Sequence, residues 1–277
     1  MGLYRGFIVW LAGIVVVLGA FLIFVAAGWP GSPNACIYDT PDTCYCEAFS
    51  RSDVEAGAPG VRQLANTWFN LYSIITSLIV AIFVFLDRRR FAGTTAPSLI
   101  RSDGAVPDLY IFAVLFLGLG SMWFHGSLTE WGGVLDGMSM YVFTAFLAFY
   151  SIRRLWDSAL FFWIGYLVTV ALFTFLHTVL PSVINIIILV VAYLAVEVYI
   201  WIRKGQVMQG RLLTITLWVL AVVAILTATF FWVASQTGNF LCNPHSLFQP
   251  HGILWHPLAG VMAVLLYFYW READDRH

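Results

Sequence analysis

The sequence predicts an all-α integral membrane protein whose transmembrane helices form one bundle. Three observations carry this. The 277 residues are 61% hydrophobic and only 10% charged, whereas soluble domains carry about 25% charged residues. Runs of roughly 20 apolar residues, the length that crosses about 30 Å of hydrocarbon, recur eight times. The basic residues gather on alternate connections between those runs, as a chain threaded back and forth through a membrane requires. Mean hydropathy is +0.84. No strand-like alternation competes, and there is no internal repeat or low-complexity tract. A transporter, which commonly shows inverted repeats and broken helices, fits poorly.

The runs are approximately 7–28, 65–86, 108–128, 132–150, 158–177, 181–202, 211–234 and 252–270. The first has two readings. Arg5 and Ala26-Ala27-Gly28 suit a signal peptide, but the apolar stretch exceeds the usual 7–15 residues of a signal core. We read 1–28 as a retained helix. The second run opens on Asn66 and Asn70, four apart, which suits a helix cap or a brace for a nearby site. The third holds Ser121 and His125, and the fourth holds Asp136. The sixth holds Glu197, read as an interfacial or ion-paired carboxylate. The eighth opens with His251 and His256.

With the N-terminus in the cytoplasm, 12 of the 14 basic residues fall on cytoplasmic segments: Arg5, Arg88, Arg89, Arg90, Arg101, Arg153, Arg154, Arg203, Lys204, Arg211, Arg271 and Arg276. Only Arg51 and Arg62 fall outside. Both termini are then cytoplasmic. One helix more or fewer would scramble this asymmetry. The net charge of −1 points away from a nucleic-acid partner, and the sequence leaves the oligomeric state open.

All four cysteines fall in the exterior loops 29–64 and 235–251. Thiols gathered in an oxidising compartment usually pair, and four cysteines allow three connectivities. One of these joins Cys46 to Cys242 across the two loops and Cys36 to Cys44 locally. A cysteine metal site is the weaker reading, because Cys-Tyr-Cys is shorter than the usual zinc spacing.

Threading also brings Ser121, His125, Asp136, His251 and His256 to one depth, toward the exterior face. Ser121 and His125 are four apart and share a helix face. Ionisable groups inside membrane segments are costly unless they pair, bind metal or do chemistry. Three His, an Asp and a Ser at one depth are the makings of a zinc hydrolase site. His177, His245 and His277 are read as ordinary polar residues near helix ends or in solvent.

At these residues the chain resembles the alkaline ceramidases and their wider superfamily, which includes progestin and adipoQ receptors and GPI-lipid-remodelling hydrolases. The pattern is Ser-x-x-x-His, an Asp eleven residues on, and a final His pair ending in Trp-His. Gln63-Leu-Ala-Asn66-Thr67-Trp-Phe-Asn70 is similar to the opening of the first core helix. Phe231-Trp232 and Asn239-Phe-Leu-Cys242 are similar to the segment before the last. The resemblance implies a seven-helix core within 29–277, with 1–28 as an additional helix. It implies zinc held by His125, His251 and His256, Asp136 as the general acid–base and Ser121 as the oxyanion donor. It also implies a Cys46–Cys242 disulfide. The implied reaction is hydrolysis of the N-acyl amide of a ceramide-like membrane lipid. A zinc hydrolase of an ester or GPI-type lipid and a receptor-like lipid binder are the alternatives. The loops suit a bacterial inner membrane.

Two departures stand out. The last two His are five apart, where the family has four. On an ideal helix five residues turn about 500°, leaving the side chains roughly 140° apart. Pro257 suits a helix start and disfavours helical geometry in the residue before it, so His251 is expected on a flexible entry or a bulged turn ahead of the regular helix. The family also places calcium beside the zinc. Here Cys44 and Gln63 stand where acids are expected, leaving Glu47 with Gln63 as a weak calcium site or none, since affinity follows carboxylate count.

Overall fold

The computed structural model describes residues 4–39, 44–203 and 212–273. Lys204, Arg211, Arg276 and His277 lie outside the described residues. Among the described residues, eight helical stretches are long and apolar enough to span a membrane, and the chain is an all-α, multi-pass membrane protein.

The spanning elements follow the expected runs closely. They are α1 (Arg5–Ala27), α5 (Tyr72–Arg90), α6 (Ala105–Ser127), α7 (Glu130–Leu155), α8 (Ala159–Leu176), α9 (Ser182–Arg203), α10 (Leu212–Ala234) and α11 (His256–Ala273). Three short helices, α2 (Cys36–Asp39), α3 (Arg51–Glu55) and α4 (Leu64–Trp68), lie between α1 and α5. The second span is thus divided: α4 passes through a 3₁₀ turn, Phe69–Leu71, into α5. The cause is local. Asn70 Nδ2 donates to the Asn66 carbonyl at 2.7 Å, and Ser73 Oγ donates to the Asn70 carbonyl at 3.0 Å. Such side-chain bonds compete with the helix ladder and tighten or bend it.

Helices α6 and α7 form the centre, with α5 and α11 on one side and α8 and α9 against α7; α10 lies on α11. In lipid, where apolar surface alone does not drive helices together, small residues let backbones approach. A Cβ on Gly120 of α6 would lie 2.6 Å from Ser139 Cβ and 2.8 Å from the Leu135 carbonyl of α7. That contact brings the helix carrying His125 close to the helix carrying Asp136. The core below it is aromatic: Tyr110, Phe146, Tyr150, Tyr267 and Trp270 are fully buried, and Tyr110 donates to the Ala263 carbonyl at 2.7 Å.

The segments between α1 and α5 and ahead of α11 form a second, disulfide-braced layer. Cys36 pairs with Cys44, and Cys46 pairs with Cys242; among the described residues no cysteine is free. Backbone bonds reinforce the layer. Ala48 N–H donates to the Pro244 carbonyl at 3.1 Å, and Arg62 N–H to the Gly126 carbonyl at 3.0 Å.

The other end of the bundle is closed by ion pairs. Asp87 of α5 meets Arg271 of α11 and Arg101, Arg88 meets Asp108 of α6, and Arg154 of α7 meets Glu197 of α9.

Candidate metal centre

His125 stands on the last turns of α6 and is buried. His251 and His256, also buried, flank a single π-helical stretch, His251–Trp255, which leads into α11. Of the two expected forms, flexible entry or bulged turn, this is the bulged turn. A π turn closes i→i+5 bonds, so a five-residue spacing that would diverge on an α-helix brings both rings to one side. The ring centroids of His251 and His256 are 4.8 Å apart, and those of His125 lie 5.1 and 5.6 Å from them. Gly252 lets the turn pack closely on α4: a Cβ there would lie 2.9 Å from the Ala65 backbone.

The geometry suits a metal. One ring nitrogen from each His lies within 4.8 Å of the others. His125 Nε2 and His251 Nε2 are 3.3 Å apart, close to the ligand separation of about 3.3 Å that tetrahedral zinc with 2.0–2.1 Å Zn–N bonds requires. Both ring nitrogens of His256 and Nδ1 of His251 are buried without a protein partner, and buried polar atoms ordinarily have one. Three imidazole nitrogens and, among the described residues, no fourth ligand in the cluster match the donor set that leaves a position open for water or substrate. The residues therefore fit a zinc-like ion.

Asp136 lies in the second turn of α7, buried, with Oδ1 unpartnered. Ser121, one helical turn before His125, presents its hydroxyl to the Asp136 carboxyl. All five residues singled out in the sequence thus occupy one end of the bundle, inside membrane-spanning elements.

The expected calcium ligands have other tasks. Glu47 accepts the backbone N–H groups of Ala65 at 2.7 Å and Asn66 at 2.8 Å, one on each carboxylate oxygen. It caps α4, whose first N–H groups have no helical partner. Gln63 Nε2 donates to the carbonyls of Cys44 and Glu47. Both Glu47 oxygens and the Gln63 amide are thus engaged in hydrogen bonds within the protein. Asn66 and Asn70, read as a helix cap or a brace, are both buried. Asn70 bonds back to its own helix, while both polar atoms of the buried Asn66 side chain have no partner.

Two residues at the site were not singled out for these roles. Gln63 Oε1 lies 2.7 Å from His125 Nδ1. Tyr45 packs its ring 4.9 Å from His251 and 5.5 Å from His125. Burial first, and the nearby Asp136 charge second, hold the Tyr45 hydroxyl above its ordinary range, so it stays a neutral donor. Tyr45 and Cys46 both have positive φ, 52° and 68°. Non-glycine residues there cost about 1–3 kcal/mol each and persist only where surroundings hold them. Two disulfides supply that restraint. The Cys-Tyr-Cys sequence was the available signal, since bridges on both sides fix the tyrosine between them.

No described protein family matches the chain, and no curated protein matches it.

Proposed function

We propose that this chain is an intramembrane zinc-dependent amidase that cleaves the N-acyl amide of a ceramide-like lipid into a fatty acid and a long-chain base. The observation that carries it is a buried three-histidine cluster beside Asp136 and Ser121, all within membrane-spanning elements. Buried charge-bearing groups gathered in a spanning region mark function by default, and the ordered Ser-His-Asp-His-His pattern resembles alkaline ceramidases.

His125, His251 and His256 would hold the zinc, which when bound polarises a carbonyl and acidifies a water molecule. Asp136 takes the proton of the attacking water and returns it to the nitrogen of the leaving amine. Ser121 donates to the oxygen on which negative charge develops. Tyr45 covers the histidines and keeps bulk water away. In this reading the site faces the exterior leaflet and both termini are cytoplasmic. The distribution of 12 of 14 basic residues supports it, as do two disulfides on the same side as the site.

The test is hydrolysis of a labelled ceramide by purified protein in detergent, with His125→Ala and Asp136→Ala assayed in parallel and zinc measured on each. Turnover is expected in the wild type alone, with zinc lost only from His125→Ala. Stoichiometric zinc without release of fatty acid would overturn the amidase assignment and favour an ester-linked lipid or a receptor-like role.

A further inference from the structure

We propose that Gln63 is a positioning residue for His125 and that its carboxamide does this without a cation. The inference rests on the histidine triad holding zinc, not on the identity of the lipid.

Gln63 is fully buried at the start of α4. Its Nε2 faces two carbonyl oxygens, that of Glu47 at 2.9 Å and that of Cys44. Carbonyls only accept, so both amide hydrogens are spoken for and the orientation of the side chain is fixed. Oε1 is left to face His125 Nδ1 at 2.7 Å, and an amide oxygen only accepts as well. His125 must therefore carry its hydrogen on Nδ1. Its lone pair then lies on Nε2, the nitrogen 3.3 Å from His251 Nε2. The Gln63 backbone holds the same residue, donating its N–H to the His125 carbonyl at 3.2 Å. Metal-bound histidines generally need such a partner on the other ring nitrogen.

The same side chain links the triad to the disulfide-braced layer. Cys44 and Glu47 bracket Tyr45 and Cys46, and disulfides leave from Cys44 and Cys46. A glutamate at position 63 would keep the bond to His125 but bring no hydrogen for the two carbonyls. Carboxylate and carbonyl oxygens would then crowd together, an arrangement that a hard cation such as calcium relieves by taking all of them as ligands. The amide achieves the same closure with two N–H bonds. We infer that zinc binding here is independent of calcium, and that Gln63→Glu makes it calcium-dependent.

The experiment measures zinc affinity in zinc buffers, and the thermal midpoint, on the full chain in detergent with and without millimolar calcium. Wild type, Gln63→Glu and Gln63→Leu are compared. Wild type is expected to bind zinc equally in both conditions. Gln63→Leu should lose roughly 10–100-fold in affinity, the effect of removing such a partner, with no rescue by calcium. Gln63→Glu should weaken without calcium and regain affinity and midpoint with it. Wild-type zinc affinity that rises with calcium, Gln63→Leu as tight as wild type, or Gln63→Glu indifferent to calcium would each overturn the proposal. Should Gln63→Leu fail to fold, the rescue of Gln63→Glu decides alone. A wild type that binds no zinc in any condition would instead remove the zinc assignment beneath it.

Discussion

In the proposed amidase, Asp136 and Ser121 divide the chemistry from the metal. Neither belongs to the cluster of ring nitrogens, so each can be altered without touching a ligand. Asp136→Asn keeps the size but cannot accept the water's proton, and kcat is expected to fall by about 10²–10⁴. Ser121→Ala removes one donor to the developing oxyanion, worth about 10²–10³ in kcat. Both variants should retain zinc, measured by elemental analysis beside the turnover assay. Loss of zinc from Asp136→Asn would place the carboxylate among the ligands instead. His125, Asp136 and His256 were legible in the sequence because a polar group in an apolar run is conspicuous. Tyr45 and Gln63 were not legible in their roles. A tyrosine near a membrane surface is ordinary. What Gln63 does depends on two backbone carbonyls, Cys44 and Glu47, that only the folded loop aims at it.

The element that decides whether three histidines become one site is the π turn His251–Trp255. The five-residue spacing, read with Pro257, foretold an irregular start; the i→i+5 geometry explains why irregularity helps. Deleting Ile253 leaves the histidines four apart, a spacing that an α-helical turn also brings to one face, and zinc should be retained. Inserting an alanine after Ile253 leaves them six apart, which neither turn aligns, and zinc should be lost. Zinc in the insertion variant at wild-type stoichiometry would show that His251 is not a ligand. The cap on α4 makes a separate statement. Burial pushes the Glu47 carboxyl up, against the lowering effect of the N–H groups of Asn66, Ala65 and Leu64. A carboxyl raised on folding holds its proton more tightly folded than unfolded. Its contribution is therefore complete below the ordinary value of about 4 and fades as pH climbs through the raised one. Glu47→Gln should flatten the fall in thermal midpoint over that window; an unaltered slope would mean that Glu47 titrates alike in both states.

At the scale of the whole molecule, the proposed chemistry and the ion pairs that hold the bundle occupy opposite ends. Helix α7 carries both: Asp136 in its second turn and Arg154 in its last, eighteen residues apart, which is about 27 Å at 1.5 Å per residue. Arg154 pairs with Glu197 of α9 at 2.8 and 3.0 Å, and the same carboxylate accepts from Ser151 at 2.5 Å and Tyr269 at 2.7 Å. Composition and hydropathy pointed to the eight apolar spans found among the described residues, and the basic residues gave an expectation of which ends share a side. Neither could reveal which arginine meets which acid, because those pairings join helices distant in sequence. The fully buried Glu197 has every reason to be structural: three helices, α7, α9 and α11, meet on it. Breaking a buried ion pair from one side costs about 3–5 kcal/mol, because the remaining charge loses its compensation. Glu197→Ala is therefore expected to lower the thermal midpoint sharply while leaving zinc content and kcat at temperatures below the transition unchanged. The two readouts separate the possibilities cleanly. A variant that melts like wild type but turns over slowly would mean that Glu197 reaches the chemistry across that distance, and the division of the bundle into a working end and a binding end would fail.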